Sequence, residues 1–206
     1  MICALKDLSF AQMDVGTMAA ETTDRLWLGT VQLGLPYGLA GRQLDEAEAF
    51  AVLDAAWQAG IRHFDCARAY GEAEDRLGRW TRARKHAPVT ATKIPSLKDA
   101  SEDHRVSTMQ RALDASRRAL GVEQIAILML HRAEDFFAPG VEETLTGFLE
   151  TGAVGRIGLS GYDIPCLSDA LAKTPCYPWC NAPETRWIGA RLRRACRRSC
   201  GGDRAP

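Results

Sequence analysis

The chain has 206 residues, no formal net charge, 46% hydrophobic positions and 25% charged ones. That balance is typical of a globular protein with enough chain for one sizeable core, and it supplies no global electrostatic pull toward nucleic acid or an anionic membrane. No apolar run approaches the roughly 20 residues of a spanning helix, and Lys6 and Asp7 stand where a signal peptide would place its apolar core, so the expected location is the cytoplasm.

The first 24 residues read as a leader, possessing no recognisable element, with Met18 as an alternative start. RLWLGTVQLG then reads as a first strand, and LDEAEAFAVLDAAWQAG as a helix with Asp45 and Glu48 at capping-box spacing, Phe50, Leu53 and Trp57 on one face, and Gly60 as its stop. IRHFDCARAY carries a second strand, and GEAEDRLGRW a short helix after Tyr70. PVTATK is a third strand. The helix SEDHRVSTMQRALDASRRALG follows, with Val106, Met109, Leu113 and Leu120 on one stripe and Gly121 at its end. IAILMLH is a fourth strand, PGVEETLTGFLETG a helix opened by Pro139 and closed by Gly152, and GRIGLSGY a fifth strand.

The polar residues at the strand ends, Asp65, Lys93, His131 and Ser160, are spaced by 28, 38 and 29 residues, the length of a βα unit. Five such units lie between about Arg25 and Leu171. The fold class is therefore α/β, of the (β/α)8 TIM-barrel type, with about five of the eight units recognisable, a full barrel taking about 250 residues. A doubly wound open sheet competes, but its Gly-x-Gly-x-x-Gly turn is missing, since Gly29, Gly34 and Gly38 are too widely spaced. In either architecture, reactive side chains collect at the carboxyl ends of parallel strands.

Asp65, Tyr70, Lys93 and His131 make a set with a common chemistry. A tyrosine, with an ordinary pKa of about 10, acts as an acid near neutrality only where a positive charge stabilises its phenolate. Lys93 can supply that charge, Asp65 can hold the ammonium, and a neutral His131 can donate to the oxygen of a bound carbonyl. The set suits carbonyl reduction, in which hydride reaches carbon and tyrosine protonates oxygen. Taken singly, each residue has an ordinary reading as cap, packing group or solvated charge. His63 reads as structural and His86 and His104 as solvent-facing.

The stretches LGTVQLGLPYG, HFDCARAYGEAEDRLG, ATKIPS, LMLHR and VGRIGLSGYD resemble the aldo-keto reductases, from about Leu26 to about Thr174. The resemblance implies a (β/α)8 barrel that reduces aldehydes and ketones with NADPH. It makes Tyr70 the acid, Lys93 and Asp65 its tuning pair and His131 the group that orients the carbonyl. It also implies cofactor contacts at Gly29, Thr30, Asp65 and Ser160, with Gly161 where the family often carries Asn. Two further readings stand beside the reductase: a non-catalytic barrel remnant, and a nucleotide-binding regulatory subunit.

After Thr174 no apolar period-2 run signals a sixth strand, and the charge shifts. From Lys173 onward one lysine and seven arginines face only Glu184 and Asp203, a balance of +6. The pairs Cys176 with Cys180 and Cys196 with Cys200 are poor zinc spacings, and no metal site is expected. The seven cysteines, the others being Cys3, Cys66 and Cys166, read as scattered thiols without a disulfide framework. The simplest reading of residues 175–206 is an atypical tail in which the reading frame was lost near residue 175. The expected partner is a small carbonyl substrate, with no nucleic acid or membrane, and self-association through the open edges of an incomplete barrel.

Overall fold

The computed structural model describes residues 26–38 and 41–161 and, beyond them, 163, 165, 166, 169, 170 and the backbone of 179–181. Six strands form one sheet in the order β1-β2-β3-β4-β5-β6, every pair parallel. They are β1 Trp27–Gly29, β2 His63–Asp65, β3 Val89–Ile94, β4 Ile127–Leu130, β5 Ile157–Ser160 and β6 Trp179–Asn181. Between them run α1 Glu46–Gln58, α2 Ala73–Arg84, α3 Glu102–Leu120 and α4 Val141–Glu150. Chain order equals spatial order, as in a singly wound barrel wall. Among the described residues β1 and β6 are its two edges.

The local signals act where the sequence places them. Asp45 caps α1 by accepting from the Glu48 amide at 2.8 Å, while the Glu48 carboxylate accepts from the Asp45 amide at 3.0 Å, so two otherwise orphan donors are satisfied. Gly60, Gly121 and Gly152, all at positive φ, end their helices as expected. Gly140 caps α4, with Pro139 just outside it.

Strand alternation sorts the core into two layers. Phe64, Ile94, Leu128, Leu130, Ile157 and Leu159 point to the helices and join Leu53, Leu77, Trp80, Met109, Leu113 and Leu145 in the main core. Ala91, Ile127 and Met129 point the other way, with Trp27 packed against them. The ring of His63 lies 4.7 Å from Trp27 on this inner side, a packing role in keeping with the sequence reading.

Three expectations need correction. Val106 is 49% exposed and leaves the α3 stripe to Met109, Leu113 and Leu120. His86 does not face solvent freely. It stacks on Trp57 at 4.2 Å, and Trp57 also contacts Trp80 edge-on. A sixth strand does form after Thr174: Gly158, Leu159 and Ser160 pair with Trp179, Cys180 and Asn181. Three residues are too few for a period-2 signal, and the β5 edge supplies the template instead. The side chains of the paired tail cysteines, and the leader, lie outside the described residues.

Candidate active site

The strand ends meet because the ladder continues past them. The Thr30 amide donates to the Asp65 carbonyl at 3.0 Å, that of Cys66 to Ala91 at 2.8 Å, that of Arg68 to Lys93 at 3.2 Å and that of His131 to Ile94 at 3.1 Å. Inner-face alternation then aims Asp65 and Lys93 to the same side as Ala91, Ile127 and Met129, Asp65 in register with Ala91 and Lys93 with Met129.

Lys93 is 2% exposed, yet its ammonium has three donors to satisfy. It forms an ion pair with Asp65, donates to the Cys66 carbonyl at 2.8 Å, and reaches the Tyr70 hydroxyl at 3.5 Å. Burying an ammonium costs several kcal/mol unless such partners are supplied, so the site that buries Lys93 must hold Asp65 and Tyr70 close. An ammonium cannot accept a hydrogen bond. In this contact the phenol oxygen accepts and keeps its own proton to donate.

The ring of His131 stands edge-on to Tyr70, 5.9 Å between centroids and 88° between planes. Burial, and then the nearby Lys93 charge, lower its pKa, while Asp65 and Asp135 act in the opposite sense. The imidazole is thereby kept neutral near pH 7. The structure thus brings together Asp65, Tyr70, Lys93 and His131.

Tyr70 is placed by its backbone. Its amide donates to Ala67 at 3.0 Å and its carbonyl accepts from Ala73 at 3.1 Å, a tight turn leading into α2. Against that turn lies Gly34, where a Cβ would fall 1.8 Å from the Tyr70 carbonyl oxygen. Gly71, at φ +58°, faces back, with its own Cβ position 2.4 Å from the Gly34 oxygen. Only two glycines allow the loop after β1 and the Tyr70 turn to touch through backbone.

Behind the sheet is a polar cluster that reading by residue type passed over. Glu74, on the first turn of α2, is fully buried. It accepts from the Thr92 hydroxyl at 2.5 Å and from Arg68 Nη1 at 2.5 Å. Arg76 reaches the Leu33 carbonyl at 2.7 Å and also the Leu44 carbonyl. Glu74 lies in the run GEAED, where an acid in the first turn of a helix reads as solvated; the only available signal was Thr92 alternating with Lys93 on one strand.

The second group of expected residues lines a different part of the rim. Thr30 is fully buried and its hydroxyl donates to the Asp65 carbonyl at 3.0 Å, so its side chain acts on the β1–β2 seam. Gly29 is exposed, with nothing within 4 Å of a Cβ there. Ser160 ends β5 one step beyond the Leu130–Leu159 pair, level with His131. Beside it opens a cleft of about 380 Å³ lined by His131, Arg132, Glu134, Gly161 and Asp163. The glycine matters to its shape, since a Cβ at 161 would stand 3.2 Å from that of Ala133. Among the described residues no group of three or more His, Cys, Asp or Glu side chains could hold a metal ion, and no helix is long and apolar enough to cross a membrane. Cys66 and Cys166 are free thiols, and burial pushes that of Cys66 up to about 12.

A singly wound parallel wall with a buried lysine between a half-buried aspartate and tyrosine at its carboxyl rim defines a class, and the chain's relatives agree with it. The model of the Aldo/keto reductase family matches residues 25–198. The chain belongs to that family. The match continues past Thr174, where the resemblance read from motifs ended, through the segment that holds β6. The chain is 30% identical over 131 residues to an NAD/NADP-dependent indole-3-acetaldehyde reductase of Schizosaccharomyces pombe, covering 61% of the chain and 44% of the relative. It is 30% identical over 174 residues to a D-threo-aldose 1-dehydrogenase of a Pseudomonas species, covering 68% and 52%. An aldo-keto reductase from Bacillus halodurans, solved in holo form, has the same fold, with a TM-score of 0.61 at 20% identity over 76% of this chain and 52% of that one. The chain spans about half the length of these relatives.

Proposed function

We propose that the chain reduces an aldehyde or ketone by hydride transfer from NADPH, with Tyr70 as the proton donor. The observation that carries this reading is the buried Lys93 ammonium, paired with Asp65 and 3.5 Å from the Tyr70 hydroxyl. Its charge favours the phenolate that Tyr70 becomes after giving up its proton, and Asp65 holds it in place. His131, held neutral and edge-on to Tyr70, orients the carbonyl oxygen toward the phenol.

The residues at the rim suit a flat, polar cofactor. Exposed Gly29 leaves open space at the end of β1, and the cleft beside Gly161 gives room next to Ser160. Gly29, Asp65, Ser160 and Gly161 would hold NADPH, with the Ser160 hydroxyl on its carboxamide, while Thr30, buried with its hydroxyl on the Asp65 carbonyl, would act only by holding the β1–β2 seam. When bound, NADPH supplies the hydride, while the protein supplies proton, orientation and shielding from water. Cytoplasmic residence follows from the same reading, since the free thiol of Cys66 and the reduced cofactor both belong to a reducing compartment.

The test is NADPH oxidation with a panel of aldehydes and ketones, alongside NADPH binding read by quenching of tryptophan fluorescence. Tyr70→Phe is expected to abolish turnover and leave the dissociation constant within about twofold, since the phenol ring and its packing remain. Turnover equal to wild type in Tyr70→Phe would remove the acid. Absence of NADPH binding by the folded chain would favour the non-catalytic remnant, and binding without turnover the regulatory subunit.

A further inference from the structure

We propose that Glu74 is a positioning residue for the Tyr70–Lys93 pair, acting through a clamp made with Arg68 and Thr92. The inference rests on the reading of Tyr70 as the acid. Its premise is geometric: the Tyr70–Lys93 contact is long, 3.5 Å, and joins two different segments, the loop after β2 and the end of β3. Something must fix those segments relative to each other.

Glu74 touches both. One carboxylate oxygen accepts from Thr92, the residue before Lys93 on β3, and the other accepts from Arg68, midway between Asp65 and Tyr70. Alternation puts Thr92 on the helix side of β3 when Lys93 points inward. Holding the Thr92 hydroxyl from behind therefore sets the height and twist at which Lys93 emerges in front. Arg68 is tied a second time, its amide donating to the Lys93 carbonyl at 3.2 Å. Glu74 itself follows Tyr70 by four residues across the Gly71 turn, so strand, loop and helix start close into one ring around a single carboxylate.

The energetics favour a fixed geometry. The carboxylate is fully buried, and an ionised group in that position must retain every partner it has. Arg68, 29% exposed along its side chain, is the partner facing outward, and it makes a weaker second approach to Asp75 at 3.8 Å. A slip of β3 against the loop would strip Glu74 of one partner or the other. Lys93 and His131 face Tyr70 directly, with Asp65 on the Lys93 ammonium. Glu74 adds no contact of its own to the phenol and acts on it through Lys93.

The experiment follows the tyrosinate absorbance of the full chain during alkaline titration. Each variant is paired with its Tyr70→Phe counterpart, so that the difference isolates Tyr70. Thr92→Val, which cuts the clamp without changing any charge, is expected to raise the Tyr70 midpoint by about one pH unit, the size of a weakened neighbouring charge, and Thr92→Ser, which keeps the hydroxyl, to leave it at the wild-type value. Glu74→Gln should raise it less, because removing the buried negative charge by itself favours the phenolate. Turnover should fall in kcat rather than rise in KM, because carbonyl and cofactor contacts lie elsewhere. Should Glu74→Gln not fold, Thr92→Val against Thr92→Ser decides. An unchanged midpoint in folded Thr92→Val, a wild type with no Tyr70-dependent component, or loss of folding in both Glu74→Gln and Thr92→Val would overturn the proposal. The titration needs no turnover, so it separates a failed clamp from a failed acid, which the Tyr70→Phe kinetics report.

Discussion

The two sides of the rim are built differently. On the β1–β3 side, Asp65, Tyr70 and Lys93 sit in close-packed backbone, with the ion pair of buried Lys93 and half-buried Asp65 in front and the Glu74 cluster behind. On the β4–β5 side, His131 and Gly161, the residue after Ser160, border an open cleft of about 380 Å³. On the proposed function the contrast has a reason: the spacing between a proton donor and its tuning charge must be kept to a few tenths of an ångström, whereas ligands must enter and leave. Rigidity is concentrated where charge is buried, and space where molecules pass.

The sharpest way to break that contrast is at Gly34. Gly34→Ala would drive a methyl group into the Tyr70 carbonyl, 1.8 Å away, with neighbouring backbone nitrogens at 2.5 and 2.8 Å that cannot turn aside. The expected loss is more than about 3 kcal/mol, read as a fall in the denaturation midpoint or as failure to accumulate folded protein. Wild-type stability in this variant would mean that the two loops do not touch. A smaller effect is expected at His131. Its pKa is depressed in the folded state, so its contribution is fully present above the ordinary value of 6.5 and is lost as pH falls through the lowered one. Stability of the wild type should therefore drop more steeply than that of His131→Gln between about pH 7 and 5, and parallel curves would show that the ring titrates normally. Least of all is expected at Gly161. A methyl group there meets the Ala133 methyl at 3.2 Å and the Ala133 nitrogen at 3.7 Å, so Gly161→Ala should cost about 1 kcal/mol or less in stability. It should instead weaken NADPH binding by narrowing the cleft. Equal losses at Gly34 and Gly161 would erase the distinction between the two sides.

Much of this architecture was legible in the chain. The Asp45–Glu48 capping box, the glycine helix stops and the period of strand-end residues are local signals, and each is realised. The candidate set Asp65, Tyr70, Lys93 and His131 was legible too, because strand order places such residues on one rim. Other features were hidden for physical reasons. Trp57 captured His86 through an aromatic face on another element. The position of Val106 looked apolar and inward, but it is 49% exposed, since what packs against a helix stripe is not encoded in its periodicity. Residues 179–181 became a strand because β5 offered an edge, not because three residues prefer one.

The sequence by itself determined which residues could carry the chemistry and in what order the strands would present them, since both depend on periodicity and short-range capping. Only the tertiary structure decided how they are held. The approach of Gly34 to Tyr70, the three acceptors around Lys93 and the burial of Glu74 each join segments distant in the chain, and no local propensity encodes a contact whose other half lies elsewhere. Charges that look solvated along the chain become structural once the sheet and α2 close over them.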